Sequence, residues 1–289
     1  MLKYFGKSDI GRIRSDNEDY YTVKKIDKEE TLFIVADGMG GHQAGDVASS
    51  LGTTSFVKQY KKLRAGEMSI PKSLKIALEK ANNSILDKAT KEPDKKGMGT
   101  TFSAFVVEGM KGYIIHIGDS RIYQVRNNKI KQLTIDHTFV EKMVQNGKIT
   151  RKEARTHPHR NILYYSLGAR EVLEPHVINE FEIYDNDSFL MCSDGLSTMI
   201  EDSVLKDYCL LYPPEKAVEE LINLANKNGG SDNITVQVLH FGDVSSQDKT
   251  TPLDVESFRV KVSKLNKSFW TMIVLLVMLI IMLFILFIL

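Results

Sequence analysis

The sequence predicts an α+β fold in which two antiparallel sheets pack together with helices over their outer faces. Short apolar runs of strand length are separated by turn-sized gaps such as "DKEE" and "RNNK". Links that short suit antiparallel neighbours, because a parallel pair needs a crossover of a dozen or more residues. Helical periodicity is confined to a few separate blocks, which must cover the sheets to bury their apolar stripes.

The strands are expected at 19–26, 31–37, 101–108, 112–118, 121–126, 188–192 and 233–241. A first helix fits 43–60, where Val47, Ala48 and Leu51 share one face. The clearest helix is 71–90: Leu74, Ala77, Leu78, Ala81 and Ile85 recur at helical spacing, and Pro71 is a start signal. A third helical block, 203–228, opens with Ser203 and restarts after Pro213 and Pro214. Thr150 to Glu153, "TRKE", matches a capping box. That box lies inside 138–168, a polar, weakly periodic, His- and Arg-rich stretch that reads as a flap-like insertion rather than core. No internal repeat is visible. Residues 1–241 are thus expected to form one domain, and 242–267, beginning "GDVSSQDKTTP", a linker.

Residues 268–289 are expected to form a transmembrane helix. The 21 residues from Phe269 to Leu289 carry no charge, and at about 1.5 Å per residue they reach about 31 Å, the thickness of a hydrocarbon core. A buried core helix would keep a polar stripe. Trp270 suits the headgroup boundary, and Arg259, Lys261, Lys264 and Lys267 flank the N-terminal side. Basic flanks stay cytoplasmic, so the expected topology is single-pass, with the domain at the cytoplasmic face.

Composition excludes several classes. With 38 basic and 37 acidic residues the net charge is +1, so no global field draws the chain to nucleic acid. The two cysteines, Cys192 and Cys209, form no disulfide framework and fit a reducing compartment. No secretory signal is visible at the N-terminus, because "MLKYFGKSDIGRIRSDNED" lacks an apolar core.

Five acidic turns carry the chemistry. "FIVADGMGGHQAG" is an apolar run that stops at Asp37, followed by Gly38, Gly40 and Gly41. "YIIHIGDSR" ends at Asp119, "SFLMCSDGLS" at Asp194, and "GGSDNITVQVL" sets Asp232 just before a strand. "GRIRSDNEDYY" places Arg14, Glu18 and Asp19 ahead of another. Each alone reads equally as a surface turn, since Asp-Gly is a common turn pair. Together, converging carboxylates would repel one another unless cations intervened. Mg²⁺ and Mn²⁺ take oxygen ligands, and two such ions about 3.5–4 Å apart activate water for in-line displacement at phosphorus. Arg14 would supply the fork for phosphate oxygens.

"GRIRSDNED", "VADGMGGHQAG", "MGTTFSAF", "IHIGDSRIY", "LTIDHT", "LMCSDGL" and "GGSDNIT" occur in the order seen in the metal-dependent protein serine/threonine phosphatases, the PPM or type 2C class. Over roughly residues 3–241 the chain resembles a bacterial-type member. The resemblance implies an αββα sandwich and two central Mn²⁺ or Mg²⁺ ions with a third nearby. It implies that Asp37 bridges the central pair, with the Gly38 carbonyl completing one ion, and that Asp194 and Asp232 ligate from the other side. Glu18 and Asp19 would hold metal-bound waters or lie beside the pair, and Asp119 would help hold the third ion. Arg14 would bind substrate phosphate, and His42 would assist protonation of the leaving group. The implied reaction is hydrolysis of phosphoserine and phosphothreonine by a metal-bound hydroxide, with no covalent enzyme intermediate. One departure stands out: the bacterial family usually has a Thr-Arg pair where "NILYYSLGA" has Tyr164 and Tyr165, a position expected to lie away from the metals.

Other side chains take bland readings. Cys192 lies inside an apolar run and reads as a packed hydrophobe. A cysteine-based phosphatase needs an arginine six residues after its nucleophile, but those positions hold Thr198 and Glu215. His137, His157 and His159 could suggest zinc, yet the better candidate ligands are carboxylates. Lys24, Lys25, Lys95 and Lys96 read as solvated charge. The alternative to an enzyme is a catalytically inactive, membrane-tethered phosphoprotein-binding module on the same scaffold, which predicts lost acids. The expected partners are phosphorylated proteins, among them a membrane Ser/Thr kinase and its targets.

Overall fold

Strands with two apolar faces set the layering. The computed structural model describes residues 1–41 and 44–242. In the first half of the chain these form β1 Leu2–Asp9, β2 Asp19–Lys25, β3 Glu30–Met39, α1 Gly45–Ala65, α2 Ile70–Lys91, β4 Gly99–Thr100, β5 Phe102–Glu108, β6 Lys111–Ile117, β7 Arg121–Arg126 and β8 Lys129–Gln132. The second half adds α3 Phe139–Gln145, α4 Arg151–Thr156, β9 His176–Glu182, β10 Ser188–Cys192, α5 Asp194–Ser197, α6 Asp202–Leu211, α7 Pro214–Lys227 and β11 Ile234–Phe241.

One sheet has the order β1-β11-β10-β7-β8 and the other β2-β3-β5-β6-β9, with β4 paired to the end of β3. Every pairing is antiparallel. Three cores follow from the alternation of side chains along each strand. On β3, Leu32, Ile34 and Ala36 face α1 and α2 and pack with Phe56, Leu74, Leu78 and Ile85. Phe33 and Val35 point the other way, into the layer between the sheets, where they meet Phe105, Phe189 and Leu239. On β10 and β11, Leu190, Cys192, Val236 and Val238 turn outward onto α6 and α7. The result is helix, sheet, sheet, helix, as the patterning predicts.

All seven expected strands and the main helices form. The block at 203–228 is two helices, because Pro213 and Pro214 remove backbone donors and restart the chain. The capping box is present: Thr150 Oγ1 accepts from the Glu153 N–H at 3.2 Å, and Glu153 Oε2 accepts from the Thr150 N–H at 2.7 Å. The insertion is less detached than its polarity suggests. Thr138 pairs with Leu163 and Thr100 with Leu167, and Leu167 is fully buried among the α1 and α2 contacts. Among the described residues no helix is long and apolar enough to cross a membrane. The expected span 268–289, the linker beyond Gly242, and His42 lie outside the described residues.

Phe105 is the clearest test of the inter-sheet layer. It is fully buried, with Phe189, Phe181 and Phe33 at centroid distances of 4.8, 5.9 and 6.4 Å. Phe105→Ala should cost about 3–5 kcal/mol in urea denaturation; a loss under about 1 kcal/mol would show that this layer does not hold the sheets together.

Candidate active site

The acids scattered along the chain are brought to one pole of the sandwich. Asp37, two residues from the end of β3, pairs across from Asp19, the first residue of β2. Glu18 precedes β2, Asp119 follows β6, Asp194 opens α5 directly after β10, and Asp232 stands just before β11. The opposite pole carries Met1 and Gly242, joined by a hydrogen bond from the Gly242 N–H to the Met1 carbonyl at 3.1 Å.

Neutral side chains fix the acidic ones. Thr101 Oγ1 accepts the Asp37 N–H at 2.9 Å, and Thr100 Oγ1 donates to the Asp37 carbonyl at 2.9 Å. The Thr101 and Ser120 hydroxyls share a 2.6 Å hydrogen bond, which ties the Asp37 strand to the turn that holds Asp119. Ser193 donates to Asp19 Oδ2 at 2.7 Å from the position beside Asp194. Asn233 binds three segments at once: its amide oxygen accepts the Glu18 N–H at 2.8 Å, and its amide nitrogen donates to the Ile10 and Asp16 carbonyls, each at 2.9 Å. A Cβ on Gly38 would run into the carbonyl oxygens of Gly45 and Glu18, so glycine is required where this strand meets the start of α1.

The sequence pointed to none of Thr100, Thr101, Ser193 and Asn233 as site residues. They lie inside the quoted motifs "MGTTFSAF", "LMCSDGL" and "GGSDNIT", and that adjacency was the available signal.

The pole is electrostatically loaded. Burial pushes Asp19 up to about 7 despite its bonds from Ser193 and Thr235, and nearby Asp194 and Asp232 add to the shift. Asp37 lies well above the usual carboxylate range, first from burial and then from Asp19, Asp194, Asp119 and Asp232. Burial and Asp194 lift Asp119 similarly, and burial and Asp232 raise Asp194 to about 6. Burial also raises Glu18. Asp37 and Asp194 keep part of their surface open, yet enough protein surrounds them to deny their charges full hydration.

Such a set suits hard divalent ions. The donors are all oxygen: Asp37, the Gly38 carbonyl, Asp119, Asp194 and Asp232. Asp19 Oδ1 is buried with no hydrogen-bond partner, an acceptor that a cation or its waters would satisfy. Among the described residues no three His, Cys, Asp or Glu side chains gather closely enough to ligate one ion together. Mutual repulsion acts over longer distances than a metal–oxygen bond, so both observations hold. Mg²⁺-type sites need only one or two carboxylates, with waters completing the shell.

Arg14 stands at the rim, about half exposed. Its Nη2 donates to Asp232 Oδ2 at 2.9 Å, and Nη1 lies 3.9 Å from Glu18. A guanidinium has five N–H donors, so most remain for an incoming anion. His42 falls outside the described residues. Cys192 and Cys209 are buried, and burial raises both thiols, to about 12 for Cys209, so neither is a nucleophile. His137 is structural: its ring Nδ1 accepts the Gly118 N–H at 3.1 Å, and its backbone N–H donates to the Gly118 carbonyl at 2.7 Å. The His157 and His159 rings meet at a tilt within the insertion, with centroids 5.6 Å apart. Tyr164 and Tyr165, expected to lie away from the metals, do not line the cavity beside Asp119 and Asp194. Both rings pack on His137, with centroids at 5.6 and 5.7 Å, and His137 grips the residue next to Asp119. The two tyrosines therefore support the Asp119 turn from behind.

A four-layer sandwich whose strand ends gather acids at one pole is the architecture of the protein phosphatase 2C class. The chain belongs to that family, whose profile matches residues 9–237. It is 37% identical over 238 residues to the serine/threonine protein phosphatase PstP of Mycobacterium tuberculosis strain H37Rv, a match covering 82% of this chain and 45% of PstP. The chain thus spans about half the length of that relative. It is likewise 37% identical over 238 residues to the serine/threonine phosphatase stp of Listeria monocytogenes serovar 1/2a, covering 80% of this chain and 92% of stp. Among solved structures, the catalytic domain of PstP in complex with two manganese ions matches with a TM-score of 0.74 at 35% identity, covering 84% of this chain and 99% of that one.

The raised carboxylates make stability depend on pH. An aspartate ionises near 3.8 without these neighbours, whereas Asp19 holds its proton to about 7 and Asp194 to about 6. Their contribution to folding is complete below about 4 and is lost as pH climbs through 6 to 7. In protein stripped of divalent ions, Asp37→Asn should therefore raise the melting temperature near pH 8 by about 2–4 °C, equivalent to roughly 1 kcal/mol for this size. The gap should close towards pH 5. Scanning calorimetry with chelator tests this, and equal destabilisation at both pH values would contradict the repulsion.

Proposed function

We propose that the chain is a protein phosphatase that hydrolyses phosphoserine and phosphothreonine directly, without a phosphoenzyme intermediate. The observation that carries this reading is the convergence of Asp19, Asp37, Asp119, Asp194 and Asp232 at one pole, each of the first four raised by burial. In this reading Asp37, the Gly38 carbonyl, Asp194 and Asp232 hold a central pair of Mn²⁺ or Mg²⁺ ions, Asp119 helps hold a third, and Glu18 and Asp19 orient waters beside them. Bound there, the ions supply an acidified water and neutralise the phosphoryl oxygens.

The chain's own groups do the rest. Arg14 offers its free N–H donors to the phosphoryl oxygens, while Asp232 and Glu18 hold its guanidinium at the rim. Thr100, Thr101, Ser193 and Asn233 keep the acids in place. His42 is the proposed donor of the leaving-group proton. The inactive-scaffold alternative predicts missing acids, whereas Asp37, Asp119, Asp194 and Asp232 are all present in the chain, which favours the enzyme.

We further propose that the uncharged stretch 268–289 anchors the chain in a membrane with residues 1–241 on the cytoplasmic side. A tether confines the search to membrane-proximal targets. A membrane Ser/Thr kinase and its substrates are the partners this placement suggests.

Two experiments decide these readings. On a phosphothreonine peptide, the full chain should release phosphate with Mn²⁺ and stop with chelator, and Asp37→Asn or Asp194→Asn should abolish release. Arg14→Ala should raise KM by roughly tenfold, the weight of one partly exposed charged hydrogen bond. A phosphoenzyme trapped by rapid quench, or full activity in either Asp variant, would refute the mechanism. Fractionated cells should carry the full chain in the membrane pellet and a chain truncated at 241 in the supernatant; full-length protein in the supernatant would remove the anchor.

A further inference from the structure

A cavity of about 200 Å³ opens beside the acidic pole, lined by Asp119 and Asp194 together with Arg151, Arg155 and Arg160 of the insertion. Its charges sort by partner. Arg121 closes on Asp136 through three hydrogen bonds of 2.6 to 3.0 Å. Arg151 meets Glu141 at 3.1 and 3.2 Å through two nitrogens. Those four groups neutralise one another.

Arg155 and Arg160 are different. Arg155 reaches Glu201 and Asp202 only at 3.5 Å each, and Glu201 is 75% exposed, so solvent screens these pairs and little is lost by exchanging them. Arg160 makes one long contact, 3.5 Å to the Arg155 carbonyl, and has no carboxylate partner among the described residues. Two guanidinium groups on one short segment thus line a small polar cavity with most of their donors unspent. The cavity is large enough for a side chain and too small for a folded domain.

We propose that Arg155 and Arg160 form an anion subsite that recognises a second acidic group on the substrate polypeptide, near the phosphoresidue being hydrolysed. The subsite rests on the phosphatase reading above. Asp119 and Asp194 belong both to the pole and to this cavity, so a peptide whose phosphoryl group is held at the pole carries its neighbouring residues to the arginines. The guanidinium fork matches a carboxylate or a phosphoryl group in two-pronged geometry. The favoured substrates are therefore acidic or doubly phosphorylated segments.

The test uses the full chain with Mn²⁺ and three sets of phosphothreonine peptides. One set is neutral around the phosphoresidue, one carries a glutamate at each flanking position in turn, and one carries a second phosphothreonine there. At one or more positions, kcat/KM for a charged peptide should exceed the neutral value by about fivefold to tenfold, as for one partly exposed charged hydrogen bond. Comparing the glutamate and phosphothreonine sets tells which anion is preferred. In Arg160→Ala the charged-to-neutral ratio should fall towards one, in Arg160→Lys it should partly recover, and in Arg160→Glu it should drop below one. Equal hydrolysis of all three sets, or a ratio unchanged in every Arg160 variant, overturns the subsite and leaves the phosphatase reading intact. No hydrolysis of any peptide overturns both.

Discussion

The cross-strand pair of Asp19 and Asp37 is the constraint around which the rest of this fold is arranged. Two aspartates placed opposite each other in adjacent antiparallel strands repel, and here the repulsion sits at the edge of a dry sandwich with three more acids facing it. A sheet chosen for stability alone would put apolar or oppositely charged side chains there. The structure tolerates the arrangement because the strain is local. Beneath it, the inter-sheet layer of Phe33, Val35, Phe105, Phe189 and Leu239 supplies apolar burial that does not depend on the state of the acids.

The scaffold around the acids is made of hydrogen bonds to neutral groups. Threonine and serine hydroxyls and the Asn233 amide bind backbone groups or one carboxylate oxygen and carry no charge of their own. Arginines in place of these groups would discharge the pole and remove its affinity for cations. Positive charge is instead held at the rim by Arg14, or paired off below it, as in the buried contact of Arg121 with Asp136.

The sheets and the acidic turns were legible in the sequence because both announce themselves through apolar runs. Strands buried on two faces, such as β3 and β10, are nearly continuous in Ile, Leu, Val and Phe, and an aspartate that stops such a run is conspicuous. The strands that were missed are β1, "LKYFGKSD", β8, "KIKQ", and β9, "HVINEFE", with the two-residue β4. The first three lie at sheet edges, where one row of backbone groups and much of the side-chain surface meet solvent, so no apolar alternation is imposed. Asn233 and Thr101 were hidden for a related reason: a neutral polar residue in a turn looks the same whether it serves the turn or the site. The contact of Tyr165 with His137 joins residues far apart in sequence, and no local pattern records it.

The pairing of β1 with β11 has a mechanical consequence. Asp9 lies opposite Ile234 at the acidic end and Leu2 opposite Phe241 at the other, so both chain ends of the sandwich leave together from the base. Eight residues of strand separate that base from the mouth, about 25 Å at extended rise. The chain thus enters and leaves the sandwich at the base, and a change made at either point reaches the acids only through the full length of β1 or β11.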